Sequence, residues 1–124
     1  MSKISALVIT YNEEKNIEDC LSSLSFAGEI IVVDSNSTDN TVELAKKFTD
    51  KVILSENLPF GLKRNISIDN AAFDWIFWAD ADERVSKELE KEIVDVTVNS
   101  KSADAYYINR KSFFINKFIQ HCGW

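Results

Sequence analysis

Asp80-Ala81-Asp82-Glu83 sets two carboxylates at i and i+2, with a third beside them, directly after an apolar run from Trp75 to Ala79. That run has the length and aromatic content of a buried strand. Three acidic groups at a strand's C-terminal end repel one another, so they suit a place where a cation or ligand offsets their charge. Hard oxygen ligands of this kind fit Mg²⁺ or Mn²⁺, with Asp82 as the ligand and Asp80 assisting. A polar strand end capping the next helix is the plainer reading, and Asp-x-Asp alone does not separate the two.

Two further apolar runs end in polar residues, at Thr10-Tyr11-Asn12-Glu13 and at Asp34-Ser35-Asn36. In a parallel sheet such ends share one edge and can face one ligand. Tyr11 can stack on a nucleobase, and Asp34 can accept from a base N–H or from ribose hydroxyls. Lys63 and Arg64, following Gly61, can offset phosphate charge. Neither Gly-x-Gly-x-x-Gly nor Gly-x-x-x-x-Gly-Lys-Ser/Thr occurs. A divalent cation would therefore do the work of a glycine-rich phosphate loop. Each group also has a structural reading: Asp34 as a helix cap, Glu13 at a helix N-terminus, Lys63 and Arg64 on a solvated helix face.

The elements that must position these residues alternate between strand and helix. Lys3 to Thr10 reads as a first strand. Asn12-Glu13-Glu14 opens a helix with Ile17, Cys20, Leu21 and Leu24 as its core stripe, which makes Cys20 a packing residue. Glu29 to Val33 is a second buried strand ending at Asp34. A helix with Val42, Ala45 and Phe48 inward follows, then a short strand Val52-Ile53-Leu54. Pro59 and Gly61 mark a loop before a helix that carries Lys63 and Arg64. After the Trp75 strand, Ser86 caps a helix with Leu89, Ile93 and Val96 on one face. Ala105 to Ile108 is a fifth strand, and Asn109 to Trp124 is a basic, aromatic tail. This order predicts an α/β fold with a mostly parallel sheet and helices on both faces.

The 124 residues suffice for one core, so the chain reads as a single domain over 1–124. Hydrophobic residues at 45% and charged residues at 27% are those of a soluble globular protein. A net charge of −6 with no basic block argues against nucleic acid as a partner. Two cysteines form neither a disulfide framework nor a metal-ligand pattern. No apolar stretch reaches about 18 residues, so no membrane span is expected. A cytoplasmic protein follows, with any peripheral contact at the inner membrane face coming from the tail or from further sequence. Phe113, Phe114 and Phe118 make that tail a candidate for self-association. Its uncovered apolar content also suggests that the chain is the N-terminal part of a longer protein.

Val8-Ile9-Thr10-Tyr11-Asn12-Glu13-Glu14, Val32 through Thr41, Gly61-Leu62-Lys63-Arg64-Asn65 and Ala79 through Glu83 together resemble the ordered motifs of family 2 glycosyltransferases. The tail, Asn109 through Trp124, is similar to the bacterial branch that adds sugars to lipopolysaccharide core. The resemblance implies a GT-A (Rossmann-like) fold, incomplete at the C-terminus, and inverting transfer from a nucleotide-diphosphate sugar to a glycan or lipid-linked acceptor. A UDP-sugar is the leading donor. By this resemblance Thr10, Tyr11, Glu13, Asp34 and Asn36 lie at the nucleoside, and Lys63 or Arg64 lies near the base or phosphates. Asp80 holds the ribose or the metal, and Asp82 ligates the metal. The general base is expected beyond Trp124. Two other classes compete: a nucleotide-diphosphate-binding module without catalysis of its own, and an Asp-x-Asp phosphotransferase, which Glu83-Arg84 after a fourth strand fits poorly.

Overall fold

Ile4–Thr10 forms the central strand β1, whose apolar stretch Ala6 to Ile9 is enclosed on both sides. Its alternation divides the core. Ile4, Ala6 and Val8 point to one side, and Leu7 with half-buried Ile9 points to the other. The computed structural model describes residues 4–55, 60–73, 75–99, 105–108 and 117–121.

The remaining elements follow in chain order: α1 (Ile17–Ser23), β2 (Glu29–Asp34), α2 (Thr41–Ala45), β3 (Val52–Leu54), α3 (Phe60–Asp69), β4 (Trp75–Asp80), α4 (Lys87–Asn99), β5 (Ala105–Ile108) and β6 (Lys117–His121). The sheet order is β3-β2-β1-β4-β6-β5. β1 to β4 are mutually parallel, and β6 runs antiparallel between β4 and β5. This is the mostly parallel α/β sheet expected.

Helices cover both faces. Ile17, Cys20, Leu21 and Leu24, all fully buried, bring α1 against Val8, Val32, Phe77 and Ala79, with Ala45 of α2 and Ile93 of α4 on the same side. The opposite side packs Ile66 and Ile68 of α3 on Leu7, Ile31, Val33, Ile76 and Trp78. Fully burying each such Ile, Leu or Val contributes about 1.5–3 kcal/mol. The exposed pairs Lys47–Glu18, Arg84–Asp19 and Lys87–Glu90 contribute about 0–1 kcal/mol each. Apolar packing therefore holds the framework.

Four local expectations change. α1 starts at Ile17 with Asn16 at its N-cap, rather than at Asn12. Asn12 sits at φ 51°, a left-handed conformation that ends the strand without starting a helix. Phe48 lies beyond the short α2 and is 38% exposed, so it is not a core residue. α3 begins at Phe60, which puts Gly61 in its first turn instead of in a loop. The tail contains a strand: β6 pairs with β4 through Trp75↔His121, Ile76↔Gln120 and Phe77↔Ile119. Without it β4 would present an open row of N–H and C=O groups. Phe118 is thus part of the sheet, opposite Tyr107. Phe113, Phe114, Cys122 and Trp124 lie outside the described residues.

Candidate functional site

The chain leaves β1 towards β2 and β3 on one side, then returns to the other side of β1 as β4. In an open parallel sheet the crevice above such a reversal, at the strands' C-terminal ends, is where ligands bind. Register fixes what stands there. Thr10 pairs with Asp34 across β1–β2, and Ile9 pairs with Asp80 across β1–β4. Thr10, Asp34 and Asp80 thus end three adjacent parallel strands, and Tyr11, Asn36 and Asp82 follow just beyond.

On the β2 side the two loops are tied together. Asp34 is fully buried, and its Oδ1 accepts hydrogen bonds from the hydroxyls of Thr10 and Ser37, each at 2.6 Å. Its Oδ2 accepts from the Ser37 N–H at 2.7 Å. The Ser37 hydroxyl in turn accepts from the Asn12 N–H at 2.8 Å, and Asn12 Oδ1 accepts from the Thr38 N–H at 2.8 Å. Further on, the Glu13 N–H donates to the Thr41 hydroxyl (2.9 Å) and the Glu14 N–H donates to Asp39 (3.3 Å). Asn36, at φ 65°, makes the left-handed turn that lets this loop fold back.

Asp39 also accepts from the Thr41 N–H at 3.0 Å and from the Thr41 hydroxyl. Desolvation pushes its carboxyl up. The Thr41 and Glu14 donors outweigh that and hold it below the usual carboxylate range.

The β4 side is built differently. Asp80 and Asp82 are exposed, whereas Ala81 and Glu83 between and after them are buried. The Glu83 N–H donates to the Asp80 carbonyl at 2.9 Å, and the Asp80 N–H donates to Glu83 Oε1 at 2.6 Å. Cys20 of α1 lies beneath, its thiol donating to the Asp80 carbonyl at 3.4 Å. Burial, followed by the charges of Glu83, Asp82, Asp80 and Glu13, pushes that thiol up to about 12. The buried thiol is thus a packing group and no nucleophile.

Two exposed carboxylates in one turn fit a hard divalent cation that takes one or two protein ligands and completes its shell with phosphate oxygens and water. Among the described residues, no group of three or more His, Cys, Asp or Glu converges as a metal cage.

The predicted site residues thus divide. Tyr11 is 58% exposed at the mouth, and Asn36, Asp80 and Asp82 are exposed with it. The Thr10 hydroxyl and the Asp34 carboxylate face inward on each other. A ligand reaching Asp34 must take remaining acceptor capacity on Oδ2 or displace Ser37. Glu13 is half-buried and accepts from Asn16 Nδ2 at 3.2 Å, a local loop contact. Lys63 and Arg64 fall in α3, on the sheet face opposite α1. The sequence reading overlooked Asn12, Ser37 and Thr41 as loop ties, and Glu83 as a brace. Ser37 and Thr41 stand out only as capping types, because their partners lie about 25 residues away.

Residues 5–121 match the family described as Glycosyl transferase family 2. An uncharacterized glycosyltransferase of Rickettsia felis is 43% identical over 94 residues, which cover 75% of this chain and 33% of that protein. The lipopolysaccharide core biosynthesis glycosyltransferase LpsC of Rhizobium meliloti is 27% identical over 117 residues, covering 90% of this chain and 43% of LpsC. Among solved structures, S. aureus TarS 1-349 superposes with a TM-score of 0.73 at 28% identity, over 90% of this chain and 36% of that one. TarS 1-349 is also known in complex with UDP-GlcNAc. The chain spans about a third of the length of the curated relatives it first matches. With the family's signature running from β1 to β6, on the sheet that TarS shares, the chain belongs to the family 2 glycosyltransferases.

Proposed function

We propose that residues 1–124 form a single nucleotide-sugar-binding domain of an inverting glycosyltransferase. It passes a sugar from a nucleotide-diphosphate donor to a glycan or lipid-linked acceptor of the cell envelope. The observation that carries this reading is the pair of exposed carboxylates, Asp80 and Asp82, at the sheet's reversal point beside exposed Tyr11. TarS, with its UDP and UDP-GlcNAc complexes, supports a UDP-sugar as donor. LpsC supports an envelope acceptor.

In this reading Tyr11 stacks on the base. Asp34 fixes the loop that carries Asn36 and accepts from the nucleoside through Oδ2. Glu13 and Thr10 shape the same subsite, and Lys63 or Arg64 offsets phosphate charge. Asp82, with Asp80, holds Mg²⁺ or Mn²⁺, which when bound stabilises the departing nucleoside diphosphate. A cytoplasmic position, at the inner membrane face for a lipid-linked acceptor, goes with this chemistry. Among the described residues no helix is long and apolar enough to cross a membrane. Self-association through the segment containing Phe113, Phe114 and Phe118 is a companion proposal, and a monomer by size-exclusion chromatography would remove it.

Calorimetric titration with UDP, GDP, CDP and ADP, each with and without Mn²⁺, tests the donor site. Metal-dependent binding of UDP above the others is expected. Silence towards all four, from this chain and from a C-terminally longer one, would overturn the reading.

A further inference from the structure

We infer that Glu83 is a positioning residue that presents Asp80 and Asp82 to the cation and diphosphate of the donor. This rests on the donor-site reading above and adds a residue to it. Around the turn, exposure alternates: Asp80 out, Ala81 in, Asp82 out, Glu83 in. Asp80 ends β4 and the sheet pairing with β1 stops there, so pairing does not set the exposure of Ala81, Asp82 and Glu83. The turn is closed instead by a reciprocal pair, with the Glu83 N–H on the Asp80 carbonyl and the Asp80 N–H on Glu83 Oε1. The Cys20 thiol supports the same carbonyl from below, and Ala81 is held in the core.

Glu83 thus uses its carboxylate on the backbone, which keeps a third negative group from competing for the cation. A carboxylate accepting from a backbone N–H makes a strong, short bond. Buried partners of this kind orient the groups that touch a metal and tune its affinity. The backbone of the turn that carries Asp80 and Asp82 is thereby held in place from its buried side.

The test measures UDP affinity with Mn²⁺ and with EDTA for wild type, Glu83→Ala and Glu83→Gln. The glutamine side chain still offers an oxygen to the Asp80 N–H, whereas alanine offers none. Glu83→Ala is expected to cut the Mn²⁺-dependent gain in UDP affinity by about tenfold or more while leaving the metal-free affinity within about twofold, and Glu83→Gln should restore most of the gain. A purely structural role would lower both affinities together. A gain in Glu83→Ala equal to that of wild type overturns this inference alone, and no gain in wild type, in this chain and in a C-terminally longer one, overturns the donor-site reading with it. Should Glu83→Ala fail to fold, amide exchange in the wild-type chain decides. The Asp80 N–H must exchange slowly without ligand, and exchange at the rate of an open loop would overturn the role of Glu83.

Discussion

Asp34 closes β2 and Asp80 closes β4, each following a run of buried apolar residues, yet the two carboxylates end in opposite environments. Asp34 is fully enclosed and accepts three hydrogen bonds from Thr10 and Ser37. Asp80 is exposed, and Glu83 rather than its own carboxylate satisfies its backbone N–H. The difference lies in the neighbours. β1 sets the Thr10 hydroxyl opposite Asp34 and the apolar Ile9 opposite Asp80. One aspartate is thereby spent on holding two loops in register, and the other ends its strand exposed. The crevice has one side tied by side-chain hydrogen bonds and one side lined by exposed carboxylates.

Exchanging the roles should therefore split stability from binding. Asp34→Ala strands the buried Thr10 hydroxyl and the Ser37 N–H, and should lower unfolding free energy by about 3 kcal/mol. Urea denaturation read by circular dichroism measures it, and a loss below about 1 kcal/mol would mean the loops hold without this carboxylate. Asp82→Ala should leave the urea midpoint within about 0.5 kcal/mol. Its loss should appear in Mn²⁺-dependent UDP affinity, by about tenfold or more, or about 1.4 kcal/mol. Equal effects of the two variants on both measurements would erase the distinction between the two sides.

A smaller effect concerns the backbone that forms the tied side. Asn12 holds φ 51° while its side chain accepts from the Thr38 N–H. Asn12→Val adds β-branching at a left-handed position and removes that acceptor, so about 1–2 kcal/mol should be lost. Asn12→Gly keeps the conformation and removes only the side-chain bond, so it should lose less. If both variants denature at the same urea concentration, the hydrogen bond outweighs the conformation.

Much of this frame could be read from local sequence. β1, β2 and β4 stand out because strands buried on both faces need near-continuous apolar runs, and Ala6 to Ile9, Ile30 to Val33 and Trp75 to Ala79 supply them. The α1 stripe and the Ser86 cap, whose hydroxyl accepts from the Leu89 N–H at 3.1 Å, are equally local. What escaped was non-local. β6 exists because the free edge of β4 needs a partner, and no residue within Lys117–His121 announces that pairing. Ser37 lies only three residues from Asp34, but Thr10, the partner in the neighbouring strand, comes opposite Asp34 only after β1 and β2 align. In sequence Glu83 reads as a third member of an acidic cluster, whereas in the fold its carboxylate turns inward, onto the Asp80 N–H.

The smallest effect concerns Asp39 and pH. Its carboxyl sits below the ordinary range in the folded chain, because the Thr41 and Glu14 donors outweigh desolvation. A depressed folded value means the unfolded chain takes up the proton first. The stabilisation is therefore complete above the unfolded value of about 4, and disappears as pH falls through the lower folded one. Glu29, whose carboxyl is desolvated but held down by Lys51, Ser5 and Ala72, acts in the same direction. The acid loss of wild type thus mixes two groups. Thr41→Val removes the hydroxyl that Asp39 accepts from and that the Glu13 N–H needs. The second bond does not titrate, so it lowers stability equally at all pH. The Asp39 part appears only as a shallower fall in the urea midpoint between pH 5 and pH 3. A Thr41→Val curve parallel to wild type over that range would show that Asp39 ties the loops without coupling them to protons.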